Sequence, residues 1–312
     1  MNEIAAGNGD AFAVPSRVSR SDARPSVWKK AWNEIRGNAV SLVALCVIVV
    51  FVLTGIVSVF WTPHDPLAIN LVDGKLLPPA FMEGGNPSYL LGTDVSGRDL
   101  LSRIMAGSRL SLVLGFVPVC ISLIIGVPFG LLAGYLGGRV DEFVMRVNDV
   151  LLAFPSILLA LIVVAVLGQG VFNVMIAVGL AHAPSFARVV RGAVLSQVRQ
   201  DYVSAATSLG ARRPRIVFRH ILPNIVNALI VIFTIDFASA LLESAGLSFL
   251  GLGVKPPTAE WGSMLADGKD YFLDGWWMIV APGLCIFAVV ISLNILGDSL
   301  RDALDPRASR RS

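Results

Sequence analysis

Three side chains able to hold a charge or move a proton lie inside otherwise apolar stretches of this chain: His182, Asp236 and Glu243. Asp236 and Glu243 are seven residues apart, so on a helix they share one side. A carboxylate facing lipid is unfavourable, which directs both toward protein or a water-filled cavity. Two readings follow. The pair lines a route through the membrane and favours a substrate with a positively charged amine. Alternatively, it meets Arg or backbone donors and holds a bundle together, with Glu243 near the outer surface. His182 reads as a packed, hydrogen-bonded residue rather than a ligand. Covalent chemistry finds no support. No G-x-x-x-x-G-K-[ST] occurs, and Gly268-Lys269 is followed by Asp270, so the chain has no phosphate-cradling loop. There is no HExxH, no CxxC, and no nucleophile set beside an activating base. Cys46, Cys120 and Cys285 sit in apolar runs without metal-ligand spacing and read as small hydrophobes. The expectation is therefore no catalytic residue, no metal and no cofactor in this chain. Any ATP and Mg used would be bound by other subunits.

The elements that position these residues are membrane spans. The 312 residues are 55% hydrophobic and 15% charged, with a mean hydropathy of +0.72, which marks an all-α polytopic membrane protein. The net charge of +3 gives no reason to expect nucleic-acid binding. Six apolar runs stand out: Ala39–Trp61, Leu110–Leu136, Val150–Gly168, Val171–Ala187, about Ile221–Leu250, and Trp276–Leu296. Residues 1–27 read as a mobile tail without a signal peptide. Trp28–Arg36 reads as an interfacial helix or as an extension of the first span. With the N-terminus inside, nineteen of the 25 Lys and Arg fall on the cytoplasmic side and six outside, placing both termini in the cytoplasm.

The division along the chain is then a cytoplasmic tail with interfacial helix (1–38), a first span (39–61), an outer segment (62–107), a core of five spans (108–297) and a cytoplasmic tail (298–312). Gly126, Gly130 and Gly134 recur every four residues, the mark of close helix packing. Pro118, Pro128, Pro155, Pro184 and Pro282 each free backbone groups that a neighbour must satisfy. In the outer segment Thr93 or Asp94 is positioned to cap a helix carrying Leu100, Leu101 and Ile104. A second outer segment, 251–275, holds Pro257, Glu260 and an expected exposed Trp261, which suit a docking surface.

One basic stretch, Asp201–Asn224, separates two apolar runs on the inner side. Asp201 as N-cap and Gly210 just past the end bracket a short helix. Tyr202, Ala205, Ala206 and Leu209 share one of its faces. At about 12 Å it is too short to cross a bilayer, and its small alanines leave room for another protein. Ala205-Ala206, Gly210 and Leu222-Pro223 resemble the "EAA" loop of ABC-importer permeases, with Ser204 where that family usually has Glu and His220 where many members have Ile. Phe218–Asn224 resembles the dipeptide/oligopeptide and nickel branch. Leu91-Gly92-Thr93-Asp94 with Gly97-Arg98-Asp99 and Ser102-Arg103, His64-Asp65-Pro66, Glu243–Gly253 and Gly297–Arg307 are similar to its C-type subunits.

The resemblance, spanning about Trp28–Arg307, implies the type I importer permease fold with six transmembrane helices. It makes 201–210 a cytoplasmic coupling helix that docks on an ATPase. It also implies a homologous second permease forming the pathway, two ATPase subunits, a periplasmic or lipid-anchored binding protein, and a place in the bacterial inner membrane. Dipeptides, longer peptides, glutathione, nickel chelates and opines all fit this branch. The competing class is an ion-coupled secondary transporter using Asp236 and Glu243 as proton carriers, against which six spans without a visible inverted repeat are few. A membrane-embedded enzyme comes third.

Overall fold

In lipid every backbone amide must find its partner within its own segment, so uncharged runs of this length become helices. The computed structural model describes residues 27–71 and 74–304, with side chains from residue 31 onward. The expected N-terminal tail before residue 27, and the chain after residue 304, lie outside the described residues. Within them the chain is almost wholly helical, with one isolated bridge between Thr93 and Asp99.

Helix α1 (Val27–Gly37) is an element of its own, not an extension of the first span. Asn38 adopts an extended backbone, and its side chain accepts from the Val40 amide, capping α2 (Ala39–Val57). Ile35 packs with Ala44 and Leu296, which seats α1 against α2 and the last helix. The second apolar run begins earlier than expected. Helix α3 (Leu100–Leu136) has 37 residues, about 55 Å at 1.5 Å per residue, so the boundary drawn at 107/108 falls inside it. The cap is also different: Asp99, not Thr93 or Asp94, accepts from the Ser102 amide.

The third run is not one straight span. Helices α4 (Gly138–Leu152) and α5 (Ser156–Leu167) meet at 90°. Pro155 lacks an amide proton and drives the preceding residue out of helical geometry, which breaks the run at Phe154-Pro155. With 12 residues, or about 18 Å, α5 alone does not match a hydrocarbon core of about 30 Å. Among the described residues, five helical segments are long and apolar enough to cross, and the bent pair makes a sixth candidate. The fourth is α6 (Val171–Val198). After the short α7 (Asp201–Ser208), α8 (Arg213–Ile216) passes through a π-helical turn at Val217–Ile221 into α9 (Leu222–Phe249). Helix α10 (Trp261–Gly268) leads to α11 (Trp277–Leu304), so the boundary at 297/298 also falls inside a helix.

The core is organised on α3 and α6, the most extensively packed pair. The glycine triplet is the reason. A Cβ at Gly126 would lie 2.5 Å from the Phe186 Cβ, at Gly130 2.6 Å from the Ala187 carbonyl, and at Gly134 2.8 Å from the Val194 Cβ. Only hydrogen fits there, so backbones approach and dispersion contacts accumulate along the seam. Proline in α3 has a matching partner in α9. Pro118 cannot donate to the Leu114 carbonyl, and buried Ser244 donates to that oxygen instead at 2.9 Å.

Candidate functional site

Three regions carry the sequence-predicted residues. On the α7 side, the helix starts one residue earlier than expected: Gln200 is the N-cap and Asp201 the first helical residue. Gly210 has φ +78°. Its amide donates to Thr207 and that of Ala211 to Ala206, a paired closure that needs a left-handed residue just past the helix. Val203 points inward and packs with Val190, Val194, Ile216, Ile221 and Ile225. Tyr202, Ala205 and Leu209 are exposed, and Leu209 is 88% accessible. The helix is therefore pinned by one side chain and presents the opposite face. Its N-terminal end is tied to the spans as well. The Tyr202 hydroxyl donates to Gln197 on α6 at 2.8 Å and accepts from Asn224 at the start of α9 at 3.3 Å. Displacing α7 thus loads α6 and α9 together.

Within the bundle, α6 and α9 bring His182, Asp236 and Glu243 into one cluster. His182 Nε2 lies 3.1 Å from Glu243 Oε2, and Nδ1 lies 3.8 Å from Asp236 Oδ1. Ser156 at the start of α5 donates to Glu243 Oε1 at 2.5 Å. The partner of the carboxylates is thus a histidine and a serine, rather than Arg or backbone donors. Both acids lie on one side of α9, as their spacing predicts, while the role of His182 was not visible because it is 54 and 61 residues away. Asp236 also lines a groove of about 700 Å³ between α6 and α9. Ser185, Ser196, Gln197, Asn224, Asn227 and Arg301 contribute polar groups to it. Glu243 does not line it.

At the end of the bundle expected to face outward, the expected exposed docking residues are mostly core. Trp261 is 0% accessible; its indole donates to the Ile104 carbonyl at 3.2 Å and meets Phe51 edge-on. Glu260 is 1% accessible and caps α10, accepting from the amides of Gly262 at 2.7 Å and Ser263 at 2.8 Å. Burial pushes its carboxyl above the usual range, partly offset by those amide bonds. Pro257 is exposed, and its carbonyl accepts from Arg103 at 3.2 Å. Arg98 Nε lies 2.6 Å from Asp94 Oδ2, and Arg103 Nε lies 3.4 Å from the same oxygen. Both guanidiniums reach Asp267 at 3.6 and 3.9 Å. Burial raises the Asp267 carboxyl, while the two arginines pull it back down. This network fastens the 91–99 loop, the start of α3 and the end of α10 to one another. The sequence showed these charges but not that they are buried together.

A helical bundle with a polar groove ending at a buried carboxylate, and a short surface helix tied to two of its spans, defines a polytopic membrane permease. The comparisons make this specific. Residues 126–310 match the family described as binding-protein-dependent transport system inner membrane component, and residues 26–79 match the N-terminal TM domain of oligopeptide transport permease C. The chain belongs to this family of binding-protein-dependent transport permeases. A di/tripeptide transport system permease protein of Pseudomonas aeruginosa is 44% identical over 91% of this chain and 93% of its own. A dipeptide transport system permease protein of Escherichia coli is 45% identical over 88% and 92%. A glutathione transport system permease protein of Pectobacterium atrosepticum is 41% identical over 93% and 94%. Among solved structures, an inward-facing MetNI methionine ABC transporter matches with a TM-score of 0.52 at 20% identity, covering 65% of this chain and 97% of that one. That likeness concerns the fold alone.

Proposed function

We propose that this chain is one of two homologous permease subunits of an ATP-driven importer for dipeptides and short peptides. The observation that carries the reading is the construction of α7: a helix of eight residues, anchored by Val203, tied to α6 and α9, with Tyr202, Ala205 and Leu209 free to meet another protein. In this reading an ATPase subunit receives Asp201, Tyr202, Ala205, Ala206, Leu209 and Gly210 in a groove. Closure of two such subunits on ATP moves the helix, and α6 and α9 follow. ATP and Mg are bound by those subunits and not by this chain.

The peptide class is supported by the names of the Pseudomonas and Escherichia relatives. A periplasmic or lipid-anchored binding protein delivers the substrate to the outer face, where exposed Pro257 remains a docking candidate. The chain sits in the inner membrane with both termini cytoplasmic, as its Lys and Arg distribution favours. The pathway runs along the groove carrying Asp236, against the second permease. The test is ATP hydrolysis by the reconstituted complex with its binding protein. Alanyl-alanine stimulates hydrolysis and accumulates in the vesicles; a complex that responds to neither this nor any other short peptide removes the peptide reading.

A further inference from the structure

The two membrane carboxylates are unequal in their surroundings. Glu243 is saturated: His182 meets one oxygen and Ser156 the other. Asp236 is not. Its Oδ1 lies at the edge of reach of His182, and its Oδ2 has no hydrogen-bond partner among the described residues, although Asp236 is only 8% accessible. A buried carboxylate oxygen left without a donor costs free energy, and in the middle of a membrane the cost is higher. Charge balance points the same way. Two acids share a single imidazole and Glu243 holds its hydrogen bond, so the charge Asp236 carries when ionised has no cation to itself.

The groove gives that charge an address. It runs along α9 from Asn224 to Asp236, twelve residues or about 18 Å, with Arg301 and Leu304 of α11 at its cytoplasmic mouth. Asp236 lies near the middle of the Leu222–Phe249 helix, so the groove ends at about half the depth of the hydrocarbon core. Between Arg301 and Asp236 the lining is apolar, interrupted by neutral polar groups such as Ser185, Ser196 and Asn227. These offer hydrogen bonds to a passing polar molecule without trapping it by charge.

We infer that Asp236 is a recognition point for the protonated amino group of the transported peptide, and that Glu243, His182 and Ser156 form a structural tie joining α5, α6 and α9. The inference rests on the peptide reading above and assigns to it one residue and one functional group of the substrate. Oδ2 is closed off in this conformation, so the ammonium donates to it as the groove rearranges, forming a charge-assisted bond that is unmade here. Carboxylate and amine part when the groove returns, and no covalent step is involved.

The experiment uses the full complex, with the second permease, the ATPases and the binding protein, in vesicles loaded with ATP. Wild type, Asp236→Asn, Asp236→Glu and Glu243→Gln are compared for uptake of alanyl-alanine per assembled complex, for co-purification of the two permeases, and for thermal stability. Asp236→Asn lowers uptake about tenfold or more, the scale of one lost hydrogen bond to a charged group, with assembly and melting unchanged. Asp236→Glu restores most of the uptake. Glu243→Gln shows the reverse, an earlier melt with uptake per complex within about twofold of wild type. Wild-type uptake by Asp236→Asn overturns the assignment. So does a loss of uptake that follows loss of the second permease, since the partner of Asp236 is then a protein side chain. A wild-type complex that takes up no short peptide removes the peptide reading itself, an outcome distinct from either.

Discussion

Replacing Gly130 by alanine tests the α3–α6 seam on which the bundle is organised. The added Cβ would stand 2.6 Å from the Ala187 carbonyl oxygen, 2.6 Å from the Val190 Cβ and 2.8 Å from its Cγ1. Ordinary contact begins near 3.4 Å, so the helices must part by about 0.8 Å. The obstruction includes backbone, which cannot swing aside as a side-chain tip can. Overpacking of this kind costs about 1–3 kcal/mol, offset by the about 0.5–1 kcal/mol that alanine gains over glycine within a helix. The net expectation is a loss of up to about 2.5 kcal/mol. The protein contains its own control. Gly192, on α6, has nothing within 4 Å of a built Cβ, so Gly192→Ala receives the helix gain without the clash. Both variants are purified in detergent with the partner permease, and the fraction of intact complex is followed against temperature. Gly130→Ala melts earlier than wild type and Gly192→Ala at or above it. Equal melting of the two would refute the reasoning, because it would mean that the seam yields without cost.

A bulky charge on α7, Ala205→Glu or Ala206→Glu, leaves the permease folded but separates ATP hydrolysis from transport; coupling ratios at the wild-type level count against docking through this face. Trp261→Ala empties a fully buried site and removes the bond to the Ile104 carbonyl, which costs about 3–5 kcal/mol and is read as loss of folded protein on denaturation. Glu260 supplies a pH test. Its carboxyl is raised by burial in the folded protein, so the folded state holds its proton more tightly than the unfolded chain. Its contribution is therefore full below the unfolded value and declines as pH rises through the folded one. The melting difference between wild type and Glu260→Gln accordingly shifts in favour of Gln as pH is raised from about 4 to 7; a shift in the opposite direction contradicts the sign.

Local chemistry was legible in the sequence, and long-range meetings were not. Gly210 announced the end of α7 because a left-handed residue is needed there whatever surrounds it. Gly126, Gly130 and Gly134 announced a close seam because spacing alone puts them on one face. The partner helix could not be read, since nothing local ties 126–134 to 183–194. Trp261 shows the opposite error. A tryptophan among prolines and short turns reads as exposed, yet its pocket is built by Phe51 and Ile104, more than 150 residues upstream. Pro155 was read as one of several prolines within spans, and hydropathy hid its effect because the residues on both sides of the break are apolar. Arg98 and Arg103 were counted among the outer-side basic residues and Asp94 was read as a cap; only the folded loop reveals that both arginines meet Asp94 in a buried network, with half-buried Asp267 beside them.

Helix α3 is unbroken from the buried ion network at its outer end to the inner end of the glycine seam. Over about 55 Å, a tilt of 5° carries one end about 5 Å sideways relative to the other. A small pivot against α6 at the Gly134 end is thus magnified at the surface where the 91–99 loop and α10 are fastened. An event at one end of the bundle can in this way arrive at the other as a displacement of nearly one helical turn.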